Sequence, residues 1–161
     1  LGERVDMREV RQAVLELRRS KGMVLDPADP DTYSCGSFFT NPIISNEDAR
    51  SLPADAPRFP VYDLQLRNSV TGVAPKLEGV VKTSAAWLIS HAGFSKGFSL
   101  DSTNGNDQPV RASLSNKHVL ALTNRASASS ADIAQLAATI KRGVWEEFGV
   151  ELVEEPVQVG F

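Results

Sequence analysis

Ser129-Ser130-Ala131-Asp132-Ile133-Ala134-Gln135-Leu136-Ala137-Ala138-Thr139-Ile140-Lys141-Arg142-Gly143-Val144-Trp145-Glu146-Glu147-Phe148-Gly149-Val150 is the best-formed periodic stretch of the chain. Ile133, Leu136/Ala137, Ile140, Val144 and Phe148 recur at helical spacing and line one face, which predicts an amphipathic helix. Its start is set at Ser129 or Ser130, and Gly149 closes it. The chain then turns at once into Val150 to Val159, a run read as a final strand. Pro156 interrupts that run and suits an edge position or a strand end.

Working outward, a second helix is expected from about Asp6 to Ser20. Met7, Val10, Ala13/Val14 and Leu17 share one stripe, Asp6 is the N-cap, and Gly22 is the stop after a basic last turn. A third helix is expected from Thr83 to Ala92, stopped by Gly93. Ser45-Asn46-Glu47-Asp48 reads as the capped start of a short helix near Ala49 to Leu52. Strands are expected over Ser37 to Ile44, broken by Asn41-Pro42, and over Val119 to Thr123. Residues 53–81 read as loops with one or two short strands, and 101–109 as a polar loop. Helices and strands mix without a regular βαβ repeat, so the expected class is α+β, a small mixed sheet with packed helices.

The chain has 161 residues, 42% hydrophobic and 23% charged, enough for one ordinary domain with a real core. A net charge of −3 argues against a general nucleic-acid-binding surface. No apolar run reaches the length of a membrane span, which excludes membrane insertion by a helix and makes the cytoplasm the default location. Cys35 is the only cysteine, so no internal disulfide and no multi-cysteine metal site can form. The two histidines, His91 and His118, lie far apart in sequence, and no metal site is expected. The amino terminus has neither a signal-peptide core nor an initiator Met, which suggests an excised piece of something longer.

The chemical signals read from residues alone each carry a plain alternative. Ser37, between Gly36 and the aromatics Phe38 and Phe39, could present a hydroxyl in a partly dry pocket; equally, it could be a turn serine bonding its own backbone. Cys35 is either a nucleophile or a small buried thiol. Lys21, with Arg18 and Arg19, could hold phosphate, or the cluster could simply favour a helix C-terminus. Glu154 and Glu155 could supply a carboxylate, although adjacent strand residues point to opposite faces. His118 is a polar contact at a strand start or a surface residue.

Taken in order, five local runs resemble one family. They are Arg18-Arg19-Ser20-Lys21; Gly36-Ser37-Phe38-Phe39-Thr40-Asn41-Pro42; Ala85-Ala86-Trp87-Leu88-Ile89 with Ala92-Gly93 and Lys96-Gly97; Leu114-Ser115-Asn116-Lys117-His118 with Asn124; and Phe148-Gly149-Val150-Glu151-Leu152 with Glu155. Together they are similar to the MurB family, the flavin-dependent UDP-N-acetylenolpyruvoylglucosamine reductases of peptidoglycan synthesis, and so of cell-wall biogenesis, cell shape and division. The resemblance covers only the carboxy-terminal, substrate-binding part. It implies that residues 1–21 are the last helix of the flavin-binding part, 22–155 the substrate-binding domain, and 156–161 a strand returning to the flavin-binding part.

The resemblance further implies an oxidoreductase that uses NADPH and FAD to reduce UDP-N-acetylglucosamine enolpyruvate to UDP-N-acetylmuramate. FAD would be bound by the enzyme's own amino-terminal part, with no cofactor-binding residue in this chain, which would then be inactive alone. Ser37 would protonate C2 after hydride reaches C3, and Glu155 would assist at the carboxylate side. Lys21 and Asn41 would hold the diphosphate, and His118 would contact the nucleotide-sugar. Two departures stand out: Thr40 replaces a family lysine, and Glu154-Glu155 precede Pro156 where the family places Glu directly after Pro. Counting from Leu152 selects Glu155, with Glu154 as its rival. The competing reading is a free-standing UDP-sugar or anion-binding module without catalysis.

Overall fold

The computed structural model describes residues 5–68, 70–100, 110–125 and 127–160. The expected polar loop 101–109 therefore lies outside the described residues. In chain order the elements are α1 (Met7–Ser20), β1 (Ile43–Ser45), α2 (Asn46–Ser51), β2 (Val80–Lys82), α3 (Ala85–His91), β3 (Ala112–Leu114), β4 (Leu122–Asn124) and α4 (Ser130–Phe148). The α+β class holds, with the sheet component divided between two antiparallel pairs, β1 with β2 and β3 with β4.

The helices start where short polar side chains can satisfy free amides. Asp6 accepts from the Arg8 amide at 2.7 Å, Ser45 from Asp48 at 3.0 Å, and Ser84 from Trp87 at 3.3 Å. At α4, Ser129 and Asp132 form a reciprocal box: each side chain accepts from the other's amide, at 3.2 and 2.8 Å. Helix α2 begins three residues before the expected Ala49 because Ser45 itself is the cap.

The chain falls into two compact units, Leu1–Phe38 with Ser95–Ala137, and Phe39–Phe94 with Ala138–Phe161. In the first, α1 ends in a Schellman motif. The Met23 amide donates to Arg18 O at 2.8 Å and the Gly22 amide to Arg19 O at 3.0 Å. Gly22 has φ +69°, and a Cβ there would sit 2.9 Å from the Asp31 carbonyl oxygen. Torsion and space both demand glycine. The apolar stripe of α1 is not core: Met7, Val10, Val14 and Leu17 are all exposed, Met7 by 85%.

Asp31, 5% exposed, ties this unit together. Its Oδ1 accepts from Arg125 Nη2 at 2.6 Å and from the Asn116 amide at 2.9 Å. Arg125 Nε donates to Ser113 Oγ at 2.8 Å, and Ser113 lies opposite Thr123 across the β3–β4 pair. The strand expected over Val119 to Thr123 starts only at Leu122. Residues 119–120 instead form a turn in which the Ala121 amide donates to His118 O at 3.1 Å.

In the second unit, Leu88, Ile89, Ile140, Val144 and Leu152 are completely buried. Gly143 lets the Phe94 ring approach α4; a Cβ there would meet the ring at 2.6 Å. The strand expected over Ser37 to Ile44 is reduced to a bridge at Phe39, and β1 runs Ile43–Ser45 instead. The strand expected over Val150 to Val159 is likewise a single bridge, Phe39 with Glu154, among the described residues. Arg58 closes the loop after α2 by donating to the carbonyls of Ala49, Leu52 and Ala56 at 2.7, 3.0 and 2.7 Å.

Removing one partner of a buried ion pair leaves the other charged and desolvated, at a cost of about 3–5 kcal/mol. Asp31→Ala should therefore lower unfolding stability by that amount in urea denaturation of the full-length protein. The double change Asp31→Leu with Arg125→Met should cost much less. Equal losses in the single and double variants would show that the charge pairing is not what holds the loop.

Candidate functional site

Ser37 sits at the end of a left-handed step. Gly36 has φ +84° with open space where a Cβ would project, so its torsion, not crowding, requires glycine. The turn's own hydrogen bond is made by Ser34, whose Oγ accepts from the Gly36 amide at 3.3 Å. Ser37 is half-buried, and its hydroxyl has no partner among the described residues. The turn-serine role thus falls to Ser34. After Ser37, the Phe38 amide donates to Leu120 O at 2.7 Å. Phe38 is 7% exposed, so Ser37 is fixed from its carboxy-terminal side.

Leu120 leads directly to His118. The Leu120 amide donates to His118 Nδ1 at 3.0 Å, so the neutral ring carries its proton on Nε2. Burial holds the His118 pKa below its ordinary value, and the nearby Lys21 and Lys96 charges push the same way. At neutral pH the ring is therefore an uncharged N–H donor. Lys21 is exposed just past α1, and its ammonium has no carboxylate partner among the described residues. Lys117 is different. Its ammonium hydrogen-bonds to Asp29, which raises the lysine pKa and lowers the aspartate's.

The first unit thus brings Lys21 and His118 together and places Ser37 one residue from a strap that reaches His118. Asn41 and Glu155 belong to the second unit. Asn41 Oδ1 accepts from the Ala85 amide at the start of α3 at 3.0 Å, which leaves its Nδ2 donor unused among the described residues. It borders a groove of about 510 Å³ with Thr40, Trp145 and Glu151.

The two glutamates are now distinguishable. Glu154 pairs with Phe39, lies 3.7 Å from Lys141, and accepts from Gln158 at 2.8 Å. Glu155 is exposed and has no partner among the described residues. Glu154 is committed to structure, and Glu155 is available.

Cys35 is exposed, which corrects its reading as a buried thiol. Among the described residues no group of three potential metal ligands gathers, and no helix is long and apolar enough to cross a membrane. Lys96 is exposed beside the Gly97 turn, and its charge acts on His118, a neighbourhood that the Lys96-Gly97 dipeptide does not reveal in the sequence.

Residues 27–159 match the family model described as UDP-N-acetylenolpyruvoylglucosamine reductase, C-terminal domain. Curated proteins named UDP-N-acetylenolpyruvoylglucosamine reductase are similar over nearly the whole chain. The protein of Leifsonia xyli subsp. xyli is 50% identical over 171 residues, covering 99% of this chain and 43% of that protein. The protein of Cutibacterium acnes is 50% identical over 159 residues, covering 99% and 36%. That of Mycobacterium avium is 48% identical over 162 residues, covering 99% and 39%. The chain spans about two fifths of the length of these relatives. Five ordered motifs, the α+β architecture and a match over most of its length agree: the chain belongs to the UDP-N-acetylenolpyruvoylglucosamine reductase C-terminal domain family.

Proposed function

We propose that this chain is the substrate-binding part of an NADPH- and FAD-dependent reductase that converts UDP-N-acetylglucosamine enolpyruvate to UDP-N-acetylmuramate, with Ser37 as proton donor. The observation that carries the reading is the free Ser37 hydroxyl, held half-buried between Gly36 and the anchored Phe38.

The described residues do not make a flavin site. Their left-handed glycines, Gly22, Gly36, Gly93 and Gly97 among them, stand singly in separate turns, with no run among the described residues to cradle a dinucleotide phosphate. FAD is accordingly assigned to an amino-terminal part of the same polypeptide. The exposed Met7, Val10, Val14 and Leu17 stripe supports this, because an amphipathic helix needs a cover for its apolar face. Residues 1–21 are then the last helix of that part, 22–155 the substrate domain, and 156–161 the return to the flavin part. A reaction on nucleotide-linked precursors places the protein in the cytoplasm.

FAD held by the amino-terminal part would supply, once reduced by NADPH, the hydride that adds to C3 of the enolpyruvyl ether. The task of this chain is to complete the reduction at C2, where negative charge builds and spreads into the carboxylate. A serine is a weak acid, so its value depends on positioning close to C2, in a site with little water. Glu155 helps the developing enolate only when protonated or when it acts through a hydrogen bond. Lys21 and the free Nδ2 of Asn41 supply donors for the diphosphate, and His118 Nε2–H donates to the nucleotide-sugar.

In the full-length enzyme, Ser37→Ala should leave flavin bleaching by NADPH nearly unchanged. Reoxidation by the enolpyruvyl substrate should slow by about 10²–10⁴-fold, the usual weight of general acid catalysis. An unchanged reoxidation rate removes Ser37 as the acid. Glu155→Gln should slow the same half-reaction, whereas Glu154→Gln should mainly lower stability. The reverse pattern, read by stopped-flow absorbance and thermal melts, would transfer the role to Glu154.

A further inference from the structure

Between α2 and β2 the second unit carries an irregular hairpin. Tyr62 bridges Lys76 in antiparallel fashion, the Asp63 amide donates to Pro75 O at 2.9 Å, and the Leu77 amide donates to Val61 O at 2.8 Å. Val61 is buried and anchors the base. Beyond it, Leu64, Leu66, Val70 and Val73 are all exposed, Val70 by 91%. Aliphatic side chains gathered on one projecting turn mark a binding surface, whereas single exposed ones do not.

The backbone of this turn is satisfied from within. Asp63 Oδ1 accepts from the amides of Gln65 and Leu66 at 2.9 and 3.4 Å. Asn68 Oδ1 accepts from those of Val70 and Thr71 at 2.9 and 2.8 Å. The Asn68 amide donates to Val73 O at 2.9 Å, the Gly72 amide to Asn68 O at 2.8 Å, and Arg67 Nε to Gly72 O at 2.7 Å. Groups already spent in this way cannot recruit an added strand, which binds through free amides and carbonyls. They do meet the condition for entering a medium without water, where polar backbone groups must find partners internally.

Charge and composition narrow the occupant further. Residues 64–77 hold Arg67 and Lys76 and no acidic side chain, in a chain of net charge −3. Asp63 and Glu78 stand at the base, Glu78 3.7 Å from Lys76, while Arg67 has no carboxylate partner among the described residues. An anionic surface therefore attracts the tip while repelling the chain as a whole, and so selects this end. Protein hot spots favour Trp, Tyr and Arg over Leu and Val. Here the tip is Leu and Val, and the half-exposed aromatics Phe59 and Tyr62 stand at the base, the order expected from acyl chains outward to headgroups.

We propose that the 62–76 hairpin is a peripheral membrane contact, which seats its aliphatic tip at the acyl boundary of an anionic phospholipid surface. Arg67 and Lys76 meet the lipid phosphates, and the attachment is shallow and reversible, with no spanning segment required. The contact is independent of the chemistry assigned to Ser37.

The test is sedimentation of the full-length protein with vesicles of phosphatidylcholine, alone or mixed with phosphatidylglycerol. Binding is expected on the mixed vesicles, falling as salt is raised, and is expected to be weak on phosphatidylcholine alone. Leu66→Ser with Val70→Ser should lower partition onto mixed vesicles by about tenfold or more. Arg67→Gln should lower it by about fivefold. No binding to mixed vesicles, or binding that the double variant leaves unchanged, overturns the proposal. So does a double variant that, without vesicles, changes the mass seen by light scattering or lowers the melting temperature. The tip would then already be covered, by a second copy in the first case and by the protein's own amino-terminal part in the second. Because the vesicle assay needs no turnover, its failure and that of the reductase reading are distinguishable.

Discussion

The Asp31–Arg125 ion pair is the constraint on which the first unit depends. Both side chains are nearly buried, 7% and 12% exposed, so the pair depends on the further hydrogen bonds that support each partner. Asp31 takes the Asn116 amide as well as the guanidinium, and Arg125 takes Ser113 in the strand pair. Two strands of three residues each have little cohesion of their own. The side-chain network supplies what the short ladder lacks, and it also fixes the Gly22 and Gly97 turns that carry Lys21 and Lys96.

This dependence explains an apparent excess of buried polarity. Ser113, Ser115 and Thr123 are all buried, an arrangement that would penalise an ordinary core. Each has work in the network: Ser115 Oγ accepts from the amides of Lys117 and His118 at 3.0 and 3.3 Å and so shapes the turn that presents His118. Packing, ion pairing and the shape of the His118 turn are here one connected set.

The sequence was legible where structure is decided locally. Asp6, Ser45, Ser84 and Ser129 cap helices through side chains within three residues, and the stripe of α4 buries Leu136, Ala137, Ile140 and Val144 as its period requires. Strands were less legible because their limits are set from a distance. Leu120 is removed from the expected strand by donating to His118 and accepting from Phe38, pairings invisible in its own neighbourhood. The exposed stripe of α1 has the pattern of a core helix, and amphipathicity alone cannot say which partner covers it. The Lys96-Gly97 pair gave a local pattern but not its neighbours, since its turn is packed by the contact of Gly97 with Asn116.

The same distinction separates residues that look alike. Ser34 and Ser37 flank one turn, and Glu154 and Glu155 are adjacent, yet one member of each pair is consumed by the fold. Ser34 accepts from the Gly36 amide, and Glu154 pairs with Phe39 and faces Lys141. A side chain whose hydrogen bonds are satisfied internally must break one to act on a ligand, at a cost of about 1–3 kcal/mol for a buried group. Ser37 and Glu155 carry no such debt among the described residues. One member of each pair of like residues is therefore consumed by the fold, so the turn and the bridge hold firm while the Ser37 and Glu155 side chains beside them stay free among the described residues.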